Sequence, residues 1–153
     1  MKSLPQIPQL EGFLIIVEDD AEDRALLRQV FAELDSAEDV ILLSDSDQLM
    51  DLLESIPSKN QLPSLIVLDY NMPALSGEST LLILKEDDRF KHIPVSIYSS
   101  TMNKRRELFL QVLGAINCRQ KPLSFDGLKL LMLEYLYLAL QGSAERRFAN
   151  VCI

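Results

Sequence analysis

Apolar runs of strand length alternate with longer amphipathic stretches through most of this chain, and no other feature restricts its fold as much. Such alternation builds βα units whose strands lie side by side in a parallel sheet covered on both faces. Phe13 to Val17 reads as the first buried strand. It is followed by a helix from about Ala21 to Leu34, in which Leu26, Leu27, Val30, Phe31 and Leu34 recur at helical spacing. Val40 to Leu43 is the second strand, and Asp45 or Ser46 is placed to cap a helix through Glu54. Leu65 to Leu68 is apolar at every position, as the central strand of a sheet covered on both sides should be. A turn with Pro73 and Gly77 leads to a helix from about Glu78 to Lys85, and Pro94 to Tyr98 supplies the fourth strand. Asn103 to Leu113 is a helix closed by Gly114, Ile116 to Arg119 a short fifth strand, and Ser124 the cap of a last helix reaching about Leu140.

The predicted fold class is therefore α/β, a doubly wound five-stranded parallel sheet. One domain spans residues 13–140, residues 1–12 form an N-terminal extension, and 141–153 read as a loosely held tail. The formal net charge of −8 disfavours a nucleic-acid partner, because phosphate backbones are bound by clustered Lys and Arg. No apolar run approaches the ~20 residues of a membrane helix, since the longest, Leu130 to Leu140, is interrupted by Glu134. Pro5, Gln6, Pro8 and Gln9 stand where a secretory signal would be apolar, so a cytoplasmic location without membrane contact is expected. Cys118 and Cys152 are expected to be free thiols.

In doubly wound sheets, ligands sit outside the carboxyl ends of the strands. Reading past each strand gives Glu18, Asp19 and Asp20, then Asp69, then Ser99 and Ser100, then Lys121. Converging carboxylates repel one another unless a hard cation sits among them, and an all-oxygen set suits Mg²⁺. A carboxylate can also act as a nucleophile and become an aspartyl phosphate where positive charge offsets the incoming phosphoryl oxygens. Asp69 is placed for that role. The metal would meet one phosphoryl oxygen, the Lys121 ammonium a second and the Ser99 hydroxyl a third. Pro122 would hold the Lys121 backbone extended. Taken singly, each residue has a plainer reading: Asp20 and Glu22 as helix-start residues, Asp69 as turn chemistry, Lys-Pro as nothing in particular. Their ordered recurrence at successive strand ends favours a site.

The stretches LIIVEDD from Leu14 to Asp20 and LIVLDYNMP from Leu65 to Pro73, with Gly77, Pro94 and Val95 through Ser99, and Lys121-Pro122, resemble the receiver family of two-component signalling. The resemblance covers about Phe13 to Leu140. It implies a flavodoxin-like (βα)5 receiver fold in which Asp69 is the phosphoacceptor and Asp19 a direct Mg²⁺ ligand, with Mn²⁺ able to substitute. It further implies that Glu18 acts partly through water, that Asn71 binds through its backbone carbonyl, that Ser99 is the switch hydroxyl and that Lys121 binds phosphate. The phosphoryl group would come from a sensor histidine kinase, a histidine phosphotransfer protein or a small phosphodonor and be lost by self-catalysed hydrolysis, so the chain would be a switch rather than an enzyme. Ser100, Thr101 and Pro122 flank the site and would modulate it. Cys118 stands where the family often has an aromatic residue, so switching is expected to proceed by a shift of the Ser99 loop and the following helix without an aromatic relay.

With about 13 residues after Leu140, no output domain is expected to follow, and signalling would pass to an unidentified downstream protein through noncovalent contact. Leu128, Leu131, Tyr135 and Leu138 can face the sheet, while Leu130, Leu133, Tyr137 and Leu140 fall elsewhere on the last helix. That surplus suggests a partner or a homodimer through this helix, unless the tail, with Phe148 and Val151, folds back over it. Arg105, Arg106, Arg146 and Arg147 read as solvated charges. A dinucleotide-binding enzyme would need a glycine-rich turn where Glu18 to Glu22 stands. An Asp-nucleophile phosphatase would want an acid at Asn71. The remaining alternative is a degenerate receiver that serves as a phosphorylation-independent interaction scaffold.

Overall fold

The computed structural model describes residues 12–151, with side chains through residue 142. Five βα units follow in order: β1 (Leu14–Val17), α1 (Ala21–Glu33), β2 (Val40–Leu43), α2 (Ser46–Ser55), β3 (Leu65–Asp69), α3 (Gly77–Glu86), β4 (Val95–Ser99), α4 (Lys104–Val112), β5 (Asn117–Gln120) and α5 (Phe125–Val151). Short side chains start the helices by accepting orphan N–H groups. Asp20, Asp45, Ser76 and Asn103 accept from the backbone N–H three residues on, and Ser124 accepts from Gly127 N–H. Gly114 ends the α4 turn at φ 117°, a left-handed conformation that a residue without Cβ adopts freely.

All strands are parallel in the order β2-β1-β3-β4-β5, so the chain runs outward in both directions from β1 and β3. Each face has its own core. Ile15, Val17, Ile66, Leu68, Val95 and Ile97 pack beneath α2, α3 and α4, whereas Leu14, Ile16, Leu65, Val67 and Tyr98 pack beneath α1 and α5. The alternation of side chains along a strand divides them.

The last helix runs past its expected end at about Leu140: the backbone of α5 continues as helix to Val151. Ala144, Glu145, Arg146 and Arg147 are good helix formers, and one glycine, Gly142, does not stop the run. A Cβ on Gly142 would lie 3.3 Å from the Ser64 carbonyl oxygen, so the helix passes close to the sheet there. Cys152 lies outside the described residues, as do residues 1–11 of the expected N-terminal extension; Phe148 and Val151 have no described side chains. The fifth strand sits one residue later than expected, at Asn117–Gln120, and Ser99 belongs to β4 instead of following it.

Candidate functional site

Alternation along the strands decides which side chains meet at their carboxyl ends. Ile16 and Val67 face the α1/α5 side, so Glu18 and Asp69, two residues further on, face that side too. Ser96, bonded to Tyr135 of α5, is followed at the same parity by Tyr98, and Arg119, paired with Glu134 of α5, by Lys121. Register then places Asp69 beside Tyr98 and Tyr98 beside Arg119. The ladder extends past the strands: Glu18 N–H donates to Leu43 O (2.9 Å), Tyr70 N–H to Tyr98 O (2.9 Å) and Lys121 N–H to Ser99 O (2.8 Å).

Glu18, Asp19 and Asp69 each present a carboxylate oxygen, and all three oxygens lie within 4.8 Å of one another. Glu18 and Asp69 are buried, at 1% and 3% exposure, while Asp19 is exposed. Lys121 Nζ donates to Glu18 Oε1 (2.8 Å) and Asp69 Oδ2 (3.0 Å), and Asn71 N–H donates to Asp69 Oδ1 (3.1 Å). Burial, followed by the Asp69 carboxylate, pushes the Glu18 pKa up to about 9 against the pull of Lys121. Asp19 is raised by the same two causes. Burial works against ionisation of Asp69 as well, but the neighbouring Glu18 side chain and the hydrogen bonds from Lys121 and Asn71 hold its pKa below the usual carboxylate range. Lys121, despite burial, is held charged by Glu18 and Asp69. Lys121 and the Asn71 N–H thus favour the ionised form of Asp69, while burial beside Asp69 disfavours it for Glu18.

The donor set fits a hard divalent cation. It is all oxygen, it carries more acid than one lysine neutralises, and Glu18 Oε2 is buried without a hydrogen-bond partner. The Ser99 hydroxyl lies at the same end but at the opposite parity. Ser99 is buried, and its Oγ accepts from the Asn71 side-chain amide (3.3 Å) and from Thr101 N–H (3.3 Å). Both bonds leave its own proton available to donate.

The remaining expected site residues stand at the margin. Ser100 and Thr101 are exposed in the loop after β4, Ser100 O accepting from Gln120 Nε2 (3.2 Å), and Pro122 is half-buried. Cys118 does not join the acids: it faces the α2–α4 side, where it is buried with its Sγ 4.0 Å from the Glu107 carbonyl oxygen of α4. Burial, then the nearby Glu107 charge, raises its pKa to about 11. Arg106, expected as a solvated charge, instead lies over the Tyr70 ring (4.4 Å to the centroid) and donates to Thr101 O (3.0 Å).

Three supporting residues had weak or no sequence signals. Arg24 donates to the carbonyl oxygens of Glu18 and Asp19, both at 2.8 Å, and so clamps the acidic turn; its place one turn into α1 was the available hint. Gly77 read only as part of a turn, yet a Cβ there would lie 2.5 Å from the Asp69 carbonyl oxygen, so α3 can approach the Asp69 backbone only with glycine at that position. Tyr98 could have been found from parity, two residues after Ser96 and level with Asp69.

Residues 14–132 match the family model of the response regulator receiver domain, and the chain belongs to that family. Its members serve two-component phosphorelay signalling, and the flavodoxin-like receiver fold expected from the sequence is the one observed. Among curated proteins it is 25% identical over 94% of its length to a sensor histidine kinase, TmoS of Ectopseudomonas mendocina, of which it covers 14%. It is 28% identical over 60% of its length to the response regulator Rcp1 of a Synechocystis species, covering 63% of that protein. The chain thus spans less than two thirds of these relatives. Among solved structures, the phosphorylated cyanobacterial phytochrome response regulator RcpA aligns with TM-score 0.66 and 26% identity over 80% of this chain and 89% of its own. The Mn²⁺-bound form of Rcp1 aligns with TM-score 0.62 and 25% identity over 78% and 88%. Receiver domains bind a divalent metal at an acidic pocket such as the one described above. Among the described residues, no helix is long and apolar enough to cross a membrane.

Proposed function

We propose that this chain is a phosphorylation-dependent switch whose Asp69 accepts a phosphoryl group in a metal-dependent reaction. The observation that carries this reading is an ionised, buried carboxylate held by Lys121 beside two further acids. An Asp69 carboxylate oxygen would bond to phosphorus while the phosphorus–nitrogen bond of a phosphohistidine breaks, its electrons leaving with the imidazole. Lys121 would turn from Asp69 to a phosphoryl oxygen, and Ser99 would donate its free proton to another. Water attack on phosphorus would later restore the carboxylate. Glu18, Asp19, Asp69 and the Asn71 backbone carbonyl would hold Mg²⁺, or Mn²⁺ in its place. The bound ion supplies charge that offsets the phosphoryl oxygens.

On this reading the chain catalyses only its own phosphorylation and dephosphorylation. The donor would be a sensor histidine kinase or histidine phosphotransfer protein in the cytoplasm, with neither nucleic acid nor membrane as a partner. The signal would pass to a downstream protein through noncovalent contact. The outer face of α5 suits such contact: Leu130 is 69% and Tyr137 61% exposed, and Leu133 and Leu140 extend the stripe at helical spacing. A second copy of the chain could dock there, and light scattering with and without phosphodonor would report the dimer as a doubled mass.

Intact-protein mass spectrometry after incubation with Mg²⁺ and acetyl phosphate tests the central claim. One phosphoryl adduct that disappears in Asp69→Asn and in EDTA is expected. If neither an adduct nor beryllofluoride binding is found, the phosphorylation-independent scaffold replaces this reading.

A further inference from the structure

Helix α4 opens with three cations, Lys104, Arg105 and Arg106, at the end where the helix dipole is positive and acids are favoured. Lys104 and Arg105 are exposed, and water screens them. Arg106 is half-buried and is offset by two partners instead. Its guanidinium lies 4.4 Å from the centroid of the Tyr70 ring, and Nη1 donates to Thr101 O at 3.0 Å. A half-buried arginine where the helix itself would prefer an acid calls for a reason outside the helix.

The two partners supply it, because each adjoins a group of the site. Tyr70 follows Asp69, and Thr101 stands two residues after Ser99. Tyr70 is fixed through its backbone: its N–H donates to Tyr98 O (2.9 Å), and its carbonyl accepts from Gly77 N–H (3.1 Å). The ring is therefore a firm seat, and the loop after β4 is what the guanidinium ties to it. Ser99 joins the same two loops from within, since its Oγ accepts from the Asn71 amide of one and from Thr101 N–H of the other, both at 3.3 Å. Both bonds are long, so the direction of the hydroxyl depends on the spacing of the loops. Arg106 holds that spacing from nearer the surface.

We propose, on the reading of this site as a phosphoacceptor, that Arg106 is a positioning residue. By keeping the Thr101 carbonyl beside the Tyr70 ring, it sets Thr101 N–H on Ser99 Oγ and so directs the Ser99 proton to a phosphoryl oxygen. A planar guanidinium suits this task, because its face stacks on the ring while its edge donates to the carbonyl. Among the described residues, its side chain meets Thr101 and Tyr70 and forms no ion pair with Glu18, Asp19 or Asp69, so its influence runs through Ser99.

The test measures beryllofluoride affinity in Mg²⁺ by fluorine NMR, comparing Arg106→Gln with the native chain and repeating both in a Ser99→Ala background. Arg106→Gln is expected to weaken binding roughly fivefold, the worth of one ordinary hydrogen bond. It should change nothing further once the Ser99 hydroxyl is gone. Equal loss in both backgrounds would mean a general effect of charge or packing, and either that result or no loss at all overturns the proposal. Mn²⁺ affinity without beryllofluoride, followed by electron paramagnetic resonance, should be the same for Arg106→Gln and the native chain; a parallel fall would make the effect one on the metal site and also overturn the proposal. Tyr70→Leu removes the seat and keeps the guanidinium, so it too should weaken beryllofluoride binding only while Ser99 is present. Unchanged affinity in that variant overturns the proposal even if Arg106→Gln does not fold. Native protein that takes up neither beryllofluoride nor a phosphoryl group from acetyl phosphate would overturn the phosphoacceptor reading itself.

Discussion

The two faces of the sheet reach the same carboxyl edge with different chemistry. The α1/α5 face delivers Glu18, Asp69, Tyr98 and Lys121, a cluster dominated by charge. The α2–α4 face delivers Ser99 and Cys118, which are neutral, buried and bonded to neutral groups: the Asn71 amide and Thr101 N–H for Ser99, the Glu107 carbonyl for Cys118. The difference teaches that a single residue step along a strand separates charged from neutral groups; on the proposed reading, the first bind and transfer a phosphoryl group and the second report its presence.

That division predicts a hierarchy. Lys121→Ala should slow formation of the Asp69 adduct by about 10²-fold, the usual loss when one fixed donor to a developing anion is removed; timed mass spectrometry with acetyl phosphate measures it. Gly77→Ala tests the frame from the opposite face, since its methyl would press on the Asp69 carbonyl. Destabilisation of about 1–3 kcal/mol in urea unfolding is expected. Ser99→Ala should leave the adduct forming, but roughly tenfold more slowly, with a smaller chemical-shift change in α4 than the native chain gives. A loss greater than that of Lys121→Ala would reverse the assignment of the two faces.

The smallest effect concerns Cys118. Because its pKa is raised to about 11, the thiolate fraction between pH 7 and 9 should lie below that of an ordinary cysteine and grow only toward the raised value. Alkylation by iodoacetamide, followed at the Cys118 peptide, should therefore be slow at pH 8 and accelerate with increasing pH. Rapid reaction at pH 7 would mean that the thiol is not packed against α4 as described.

Much of this was legible in the sequence, because period-two and helical patterns specify the strands and helices, and strand ends specify where to look for chemistry. Asp69, Glu18, Asp19 and Lys121 were found in that way. Tyr98 was overlooked because an aromatic residue in an apolar strand reads as core, and only the register to Asp69 reveals its hydroxyl's neighbours. The close approach at Gly77 depends on where α3 lands, which no local pattern specifies. The end of α5 was misjudged because residues 141–151 lack an apolar periodicity, although their helix propensity is good. Arg106 went to an aromatic ring that the chain brings near it only when folded.

The backbone bonds that carry Glu18, Tyr70 and Lys121 beyond their strands have a further consequence. They mount the site on the part of the molecule that opens least often, so its amides should exchange with solvent as slowly as those of the sheet. A receiver built in this way would keep its reacting groups in register while the loop from Ser100 to Asn103, exposed except at Met102, changes shape, separating the precision that the chemistry needs from the freedom that the signal needs.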